Sequence, residues 1–176
     1  MPSIVSRSLR ANLGTPPLVF DWSLDFFERE QTALACAYWQ SLRKNELLPA
    51  RSDLVPSEMR KFMAHVGLIE FQERGCGVEY SIRLAGSQWE AVFGSMKGRT
   101  LREFLPPDIE ARWRDAFEPV RIQARPARVT TQIAFASKRW LDSEMFIAPL
   151  SDDGLNVSML LMCFASWKRD SGRTAI

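Results

Sequence analysis

The clearest alternation in the chain runs over residues 78–84, where Val78, Tyr80, Ile82 and Leu84 are apolar and Glu79, Ser81 and Arg83 between them are polar. A period of two puts the two sets on opposite faces, so the stretch predicts a strand with one buried side. Residues 66–72 predict a strand before it, and the two glycines within 73–77 predict the turn of an antiparallel hairpin. After Gly86 the period lengthens. Trp89, Val92 and Phe93 fall on neighbouring helical ridges, Ser87 is placed to cap the helix and Gly94 to end it.

Two longer helices are expected around this centre. Leu24, Phe27, Leu34, Ala35, Tyr38 and Leu42 recur at three- and four-residue steps and predict an amphipathic helix over 23–46. Pro56 suits the first turn of a short helix ending near Met63, and Pro106 and Pro107 mark the entry of another with Ile109, Trp113, Phe117 and Val120 along one face. Three further strands follow at 127–137, 140–150 and 155–167, with a turn at Ser151, Asp152, Asp153 and Gly154. In the last strand the alternation seen from Leu155 to Ser158 gives way, from Met159 to Phe164, to apolar residues on both faces. That strand is expected at the centre of its sheet, covered on each side. The expected organisation is a flexible arm at 1–22, the helix at 23–46, a compact domain at 47–167 and a frayed tail at 168–176.

Composition narrows the function classes. With 176 residues, 46% of them hydrophobic, eleven Phe and six Trp can fill one core. A net charge of +2, with signs mixed along the chain, argues against nucleic acid as a partner. No apolar run is long enough for a signal peptide or a membrane span. Cys36, Cys76 and Cys163 are too widely spaced for a zinc site and odd in number for a disulfide framework, which fits reduced thiols in a cytoplasmic protein. Convergent metal donors, a nucleophile with its base, or paired catalytic carboxylates are not evident, so no enzyme is expected. Asp142 and Glu144 share a strand face with Phe146 and are expected at a solvated edge.

Two strands in a hairpin, a run of helices and three antiparallel strands resemble a PAS domain, an α+β fold with a five-stranded antiparallel sheet, here with an N-terminal flanking helix. The stretches "RSDLVPSEM", "YSIRLAGSQWEAVFG" with "GRTL", and "APLSDDG" are similar to landmarks of a bacterial family of small PAS-like proteins, over about residues 51–164. Arg51, Asp53, Pro56, Tyr80, Arg83, Gly86, Phe93, Gly94, Gly98, Arg99, Pro149, Leu150 and Gly154 match its pattern, while "SMK" stands where the family carries an acidic residue. The resemblance implies a sensory or signalling module. Haem- or flavin-binding relatives would carry their histidine or cysteine in the helical segment, where this chain has neither, so no cofactor is expected; His65 and Cys163 are read as structural.

Trp89, Phe93, Trp113 and Phe117 are expected to project from the helices toward Met145. They either pack as core or line a cavity for a small apolar ligand, with Tyr80, Arg99 and Thr131 as polar anchors. Arg51 and Arg83 are expected in surface ion pairs with Asp53 or Glu79. Apolar surface in excess of what one sheet covers predicts a homodimer or partner interface on the 23–46 helix, through Phe26 and Trp39. A small cavity enzyme or a carrier of an apolar metabolite is the alternative.

Overall fold

The computed structural model describes residues 15–133 and 141–168. Its framework is one antiparallel sheet built from β1 (Val19–Asp21), β2 (Val66–Arg74), β3 (Gly77–Ala85), β4 (Ala127–Gln132), β5 (Leu141–Leu150) and β6 (Met159–Lys168), in the spatial order β1-β4-β5-β6-β2-β3. The expected α+β class holds, with six strands in place of five. The added strand comes from the end of the expected arm: Val19, Phe20 and Asp21 pair with Thr130, Val129 and Arg128. Leu18, Phe20 and Trp22 alternate onto one face and pack on the core there.

β6 lies between β5 and β2, as its two apolar faces require. Leu160, Met162 and Phe164 point to one side of the sheet, and Met159, Leu161 and Cys163 to the other. The first side is covered by α2 (Ser87–Phe93), α3 (Leu101–Phe104) and α4 (Pro107–Gln123), the second by α1 (Glu30–Leu42). Pro107 occupies the first turn of α4, where a missing N–H costs nothing. The turn after β5 is drawn together by Asp153, whose carboxylate accepts from Ser151 Oγ and from the amides of Leu155 and Asn156. The Asn156 side-chain amide, which donates to it at 2.8 Å, and those bonds hold its carboxyl well below the usual range. They also make 155–158 a turn, so the alternation there is not part of β6.

At the junction after β3, Gly86 rather than Ser87 is the N-cap of α2; its N–H donates to Val66 O at 2.8 Å. A Cβ on Gly86 would stand 2.3 Å from Ala64 O, so only glycine fits. The free side of β3 is met by the loop before α3. Ile82 N donates to Arg99 O at 3.1 Å and Gly98 N to Ile82 O at 2.7 Å. On the opposite flank, β1 carries no further strand among the described residues.

The N-terminal helix departs most from expectation. Residues 23–29 are not helical: Ser23 turns on the Asp21 carboxylate and Leu24 has φ 59°. α1 therefore has 13 residues. Its buried stripe is Thr32, Ala35, Cys36 and Trp39, rotated by about one residue, or roughly 100°, from the expected one. Trp39 is 1% exposed, meets Phe146 edge-on and donates its indole N–H to Pro149 O at 3.0 Å. It belongs to the core and cannot serve as the expected partner contact. Phe26 is 61% exposed. Residues 56–62 form successive turns instead of the expected short helix, leading to a 3-10 turn at Met63–His65.

The N-cap residue of α1, Arg29, supplies no side-chain cap. Glu144 on β5 does so from across the sheet. Its carboxylate, fully buried, accepts from Glu28 N at 2.8 Å, from Arg29 N at 3.1 Å and from the Thr32 hydroxyl, and pairs with Arg128 Nε at 2.6 Å. The expectation of a solvated edge at Asp142 and Glu144 fails here because a helix N-terminus and an arginine converge on the second carboxylate. Removing it would leave the Arg128 guanidinium with only the longer contact to Glu28, at 3.4 Å, and would take the acceptor from the two amides and the buried Thr32. Glu144→Ala is expected to lower stability in a urea titration by about 3–5 kcal/mol, and a loss below about 1 kcal/mol would show that water replaces the carboxylate. Trp39→Glu is expected to unfold the domain, not merely to disturb association.

Candidate functional site

Rings dominate the space between α4 and the sheet. Trp113 is edge-on to Phe93 at 4.8 Å, to Trp89 at 5.6 Å and to Phe117 at 6.0 Å between centroids, and Phe93 lies 5.2 Å from Phe164. They meet because Trp113 and Phe117 are one turn apart on α4 and Phe93 is the last residue of α2. Beside these rings lies a cavity of about 40 Å³, walled by Phe93, Trp113 and Phe117 from the helices and by Ile133, Met145 and Phe164 from the sheet side. Its polar lining consists of Arg112, Thr131, Gln132 and Ser143. Ser143 is satisfied by Thr131 O at 3.1 Å.

Of the residues expected at a ligand site, the structure brings Phe93, Trp113, Phe117, Thr131 and Met145 together around this cavity. Tyr80 and Trp89 are buried next to it, but their polar ends are already committed. The Tyr80 hydroxyl donates to Glu118 at 2.8 Å, and burial together with that carboxylate raises its pKa far above the ordinary phenol value. The Trp89 indole donates to His65 O at 2.9 Å, and its ring lies so close to Gly67 that a Cβ there would stand 2.7 Å away. Arg99 is exposed and lies over the Phe104 ring, outside the cavity, so it is no anchor. The arginine on the cavity wall is Arg112, whose guanidinium donates to the Thr131 hydroxyl. Burial lowers the Arg112 pKa from its usual value, while Asp115 acts in the other direction. Leu18 completes the wall from the N-terminal segment.

Arg112 directly precedes Trp113 and follows Ile109 by three, so a cation bordering the apolar stripe of α4 was visible in the sequence. Leu18 left a fainter mark, the alternation of Leu18, Phe20 and Trp22.

His65 is tied down by its ring, with Nδ1 2.9 Å from Phe164 O, which requires that nitrogen to donate. Among the described residues no group of histidine, cysteine and carboxylate side chains is arranged to hold a metal ion. Arg83 pairs with Glu70 at 3.8 Å, while Asp53 pairs with Lys44 at 3.6 Å and Glu79 with Arg74 at 3.0 Å, so among the described residues neither Arg51 nor Arg83 makes the ion pair expected of it. A second hollow, of about 530 Å³, opens on the other side of the sheet between Arg51, Leu54, Met59 and Met63 on one wall and Leu68 and Leu84 on the other. It is larger than the aromatic cavity and more open to solvent, it lacks the ring cluster, and its polar lining is Arg51, Ser52 and Asp152.

Cys36 and Cys163 are buried, and desolvation pushes the Cys36 thiol up to about 11 and raises that of Cys163 further; Cys76 is exposed in the β2–β3 turn. Iodoacetamide at neutral pH is therefore expected to label Cys76 rapidly and the other two only after unfolding, as peptide mass mapping would show. Rapid labelling of Cys163 would mean that the sheet opens around β6. Phe117→Ala is expected to destabilise by about 3–5 kcal/mol in denaturant titrations.

No helix among the described residues is long and apolar enough to cross a membrane. No curated protein matches the sequence. The PAS domain family model matches residues 27–165, which takes in α1, the strands β2 to β5, most of β6 and the helices around the cavity, while β1 precedes it. On that match, and on the order and pairing of its elements, the chain belongs to the PAS domain family, whose members are generally sensory or signalling modules.

Proposed function

We propose that this PAS domain senses by binding and not by catalysis: a small apolar ligand enters the aromatic cavity between α4 and the sheet, and occupancy is passed on through association with a second copy or a partner protein. The observation that carries this reading is the convergence of Phe93, Trp113, Phe117 and Phe164 on a void with few polar groups. Ligand sites are largely apolar with a small number of placed polar atoms, and this lining has that composition. A catalytic constellation would need a nucleophile with a base, or two carboxylates, facing the same space. The lining residues include one charged side chain, Arg112, and no carboxylate.

Association is favoured by the surface on the N-terminal flank. Val19, 55% exposed, and Phe26 are large apolar side chains near β1, and Arg128 stacks over the Phe26 ring at 5.4 Å. With Trp39 in the core, these residues carry the interface expected from the sequence.

Native mass spectrometry of the purified protein is expected to show an additional mass of a small molecule that is lost on denaturation. In sedimentation, wild type is expected to associate at high micromolar concentration and Phe26→Glu to remain a folded monomer. A wild type that stays monomeric and carries no small molecule from its host would contradict this reading.

A further inference from the structure

Three arginines of α4 differ in their surroundings. Arg114 pairs with Glu110 at 2.6 Å and Arg121 with Glu118 at 2.7 Å. Arg112, on the wall of the cavity, has a neutral partner, the hydroxyl of Thr131, and among the described residues no carboxylate lies within ion-pair distance of it. Asp115, the acid that acts on it, does so from farther away. An arginine keeps its charge in such a place, and its planar fork matches a carboxylate in two parallel hydrogen bonds.

We propose that the cavity under α4 binds a small aromatic carboxylic acid, with its ring among Phe93, Trp113 and Phe117 and its carboxylate on Arg112, and that this occupant displaces Leu18. The proposal rests on the reading of the cavity as a ligand site. As it stands, the cavity of about 40 Å³ has room for little more than one water, so a ligand must move part of the wall. Most of that wall is core, fixed by helices and central strands. Leu18 is the exception, for it precedes a strand of three residues paired on one side only.

The same hydroxyl joins the two. Thr131 Oγ1 accepts from Arg112 and donates to Pro17 O at 2.8 Å, next to Leu18. A carboxylate that draws the guanidinium away from Thr131 weakens the hydrogen-bonded link to the arm while the aromatic ring takes the space of the Leu18 side chain. Bound and docked-arm states then exclude each other, and a ligand preferring one shifts the balance to it.

Calorimetric titration with sodium phenylacetate and with neutral 2-phenylacetamide tests this on wild type, Arg112→Gln and Leu18→Ala, each first shown to be folded by circular dichroism. Wild type is expected to prefer the acid by about tenfold, the worth of one charged hydrogen-bonding contact, and Arg112→Gln to lose that preference while still binding the amide. Leu18→Ala is expected to bind both probes more tightly, by about threefold or more, because no side chain has to be displaced. Equal affinity for acid and amide in wild type, or a preference that survives Arg112→Gln, overturns the carboxylate assignment and leaves the cavity an apolar ligand site. Unchanged affinity in Leu18→Ala overturns the displacement. Absence of binding by both probes, in Leu18→Ala as well, overturns the proposal together with the ligand-site reading.

Discussion

The buried carboxylate of Glu144 ties the start of α1 to the paired strands β4 and β5. It stands on β5, takes the guanidinium of Arg128 from β4 and accepts the amides of Glu28 and Arg29 and the hydroxyl of Thr32 at the start of α1. A charge removed from water costs several kcal/mol unless every lone pair is used, and here both oxygens are engaged twice. The arrangement fixes where α1 begins, and hence which of its residues reach the sheet. Phe146, Ala148 and Leu150 on β5, with Leu161 and Cys163 on β6, are covered by the helix so placed. Without it the sheet would present a wide apolar face to solvent.

With α1 set on one side, the other side of the sheet is free to be specialised. Its core is mainly aromatic and aliphatic, and the polar groups that enter it are mostly paired: Tyr80 with Glu118, Trp89 with the His65 carbonyl and Ser143 with the Thr131 carbonyl. Arg112 departs from that pattern, holding a full charge against a hydroxyl next to the void beside the aromatic cluster. The two faces therefore do different work. One holds the fold through a saturated ionic network, and the other keeps a gap and an uncompensated cation within it.

Much of the fold was legible where one physical signal dominates locally. The β2–β3 hairpin follows from glycines between two strand patterns, the start of α4 from Pro106 and Pro107, and the central place of β6 from its two apolar faces. Distant pairing erased the signal elsewhere. β1 meets β4 more than a hundred residues later, as the bond from Thr131 to Pro17 at a separation of 114 illustrates. Leu24 and Phe27 continue the helical spacing of α1 by coincidence across a turn that Asp21 and Ser23 form. Tyr38 and Trp39 are adjacent aromatics, so periodicity alone does not decide which faces the sheet; Pro149 O, waiting for a donor, decides it. The ring residues of the cavity were readable from helical spacing. The position of Arg112 beside the apolar stripe of α4 was readable too, but not its lack of a carboxylate partner, which emerges only when the acids around it have been placed.

The two flanks of the sheet also differ in what they offer to a foreign strand. On the β3 side the backbone groups of Ile82 are taken by Gly98 and Arg99, so that edge cannot extend another sheet in register. The β1 side ends in three residues, too short to template a partner chain, and shields β4, which has six. This small strand thus acts as an end-stop against open-ended stacking of one molecule on the next, and the length of the exposed edge doubles whenever it lifts away.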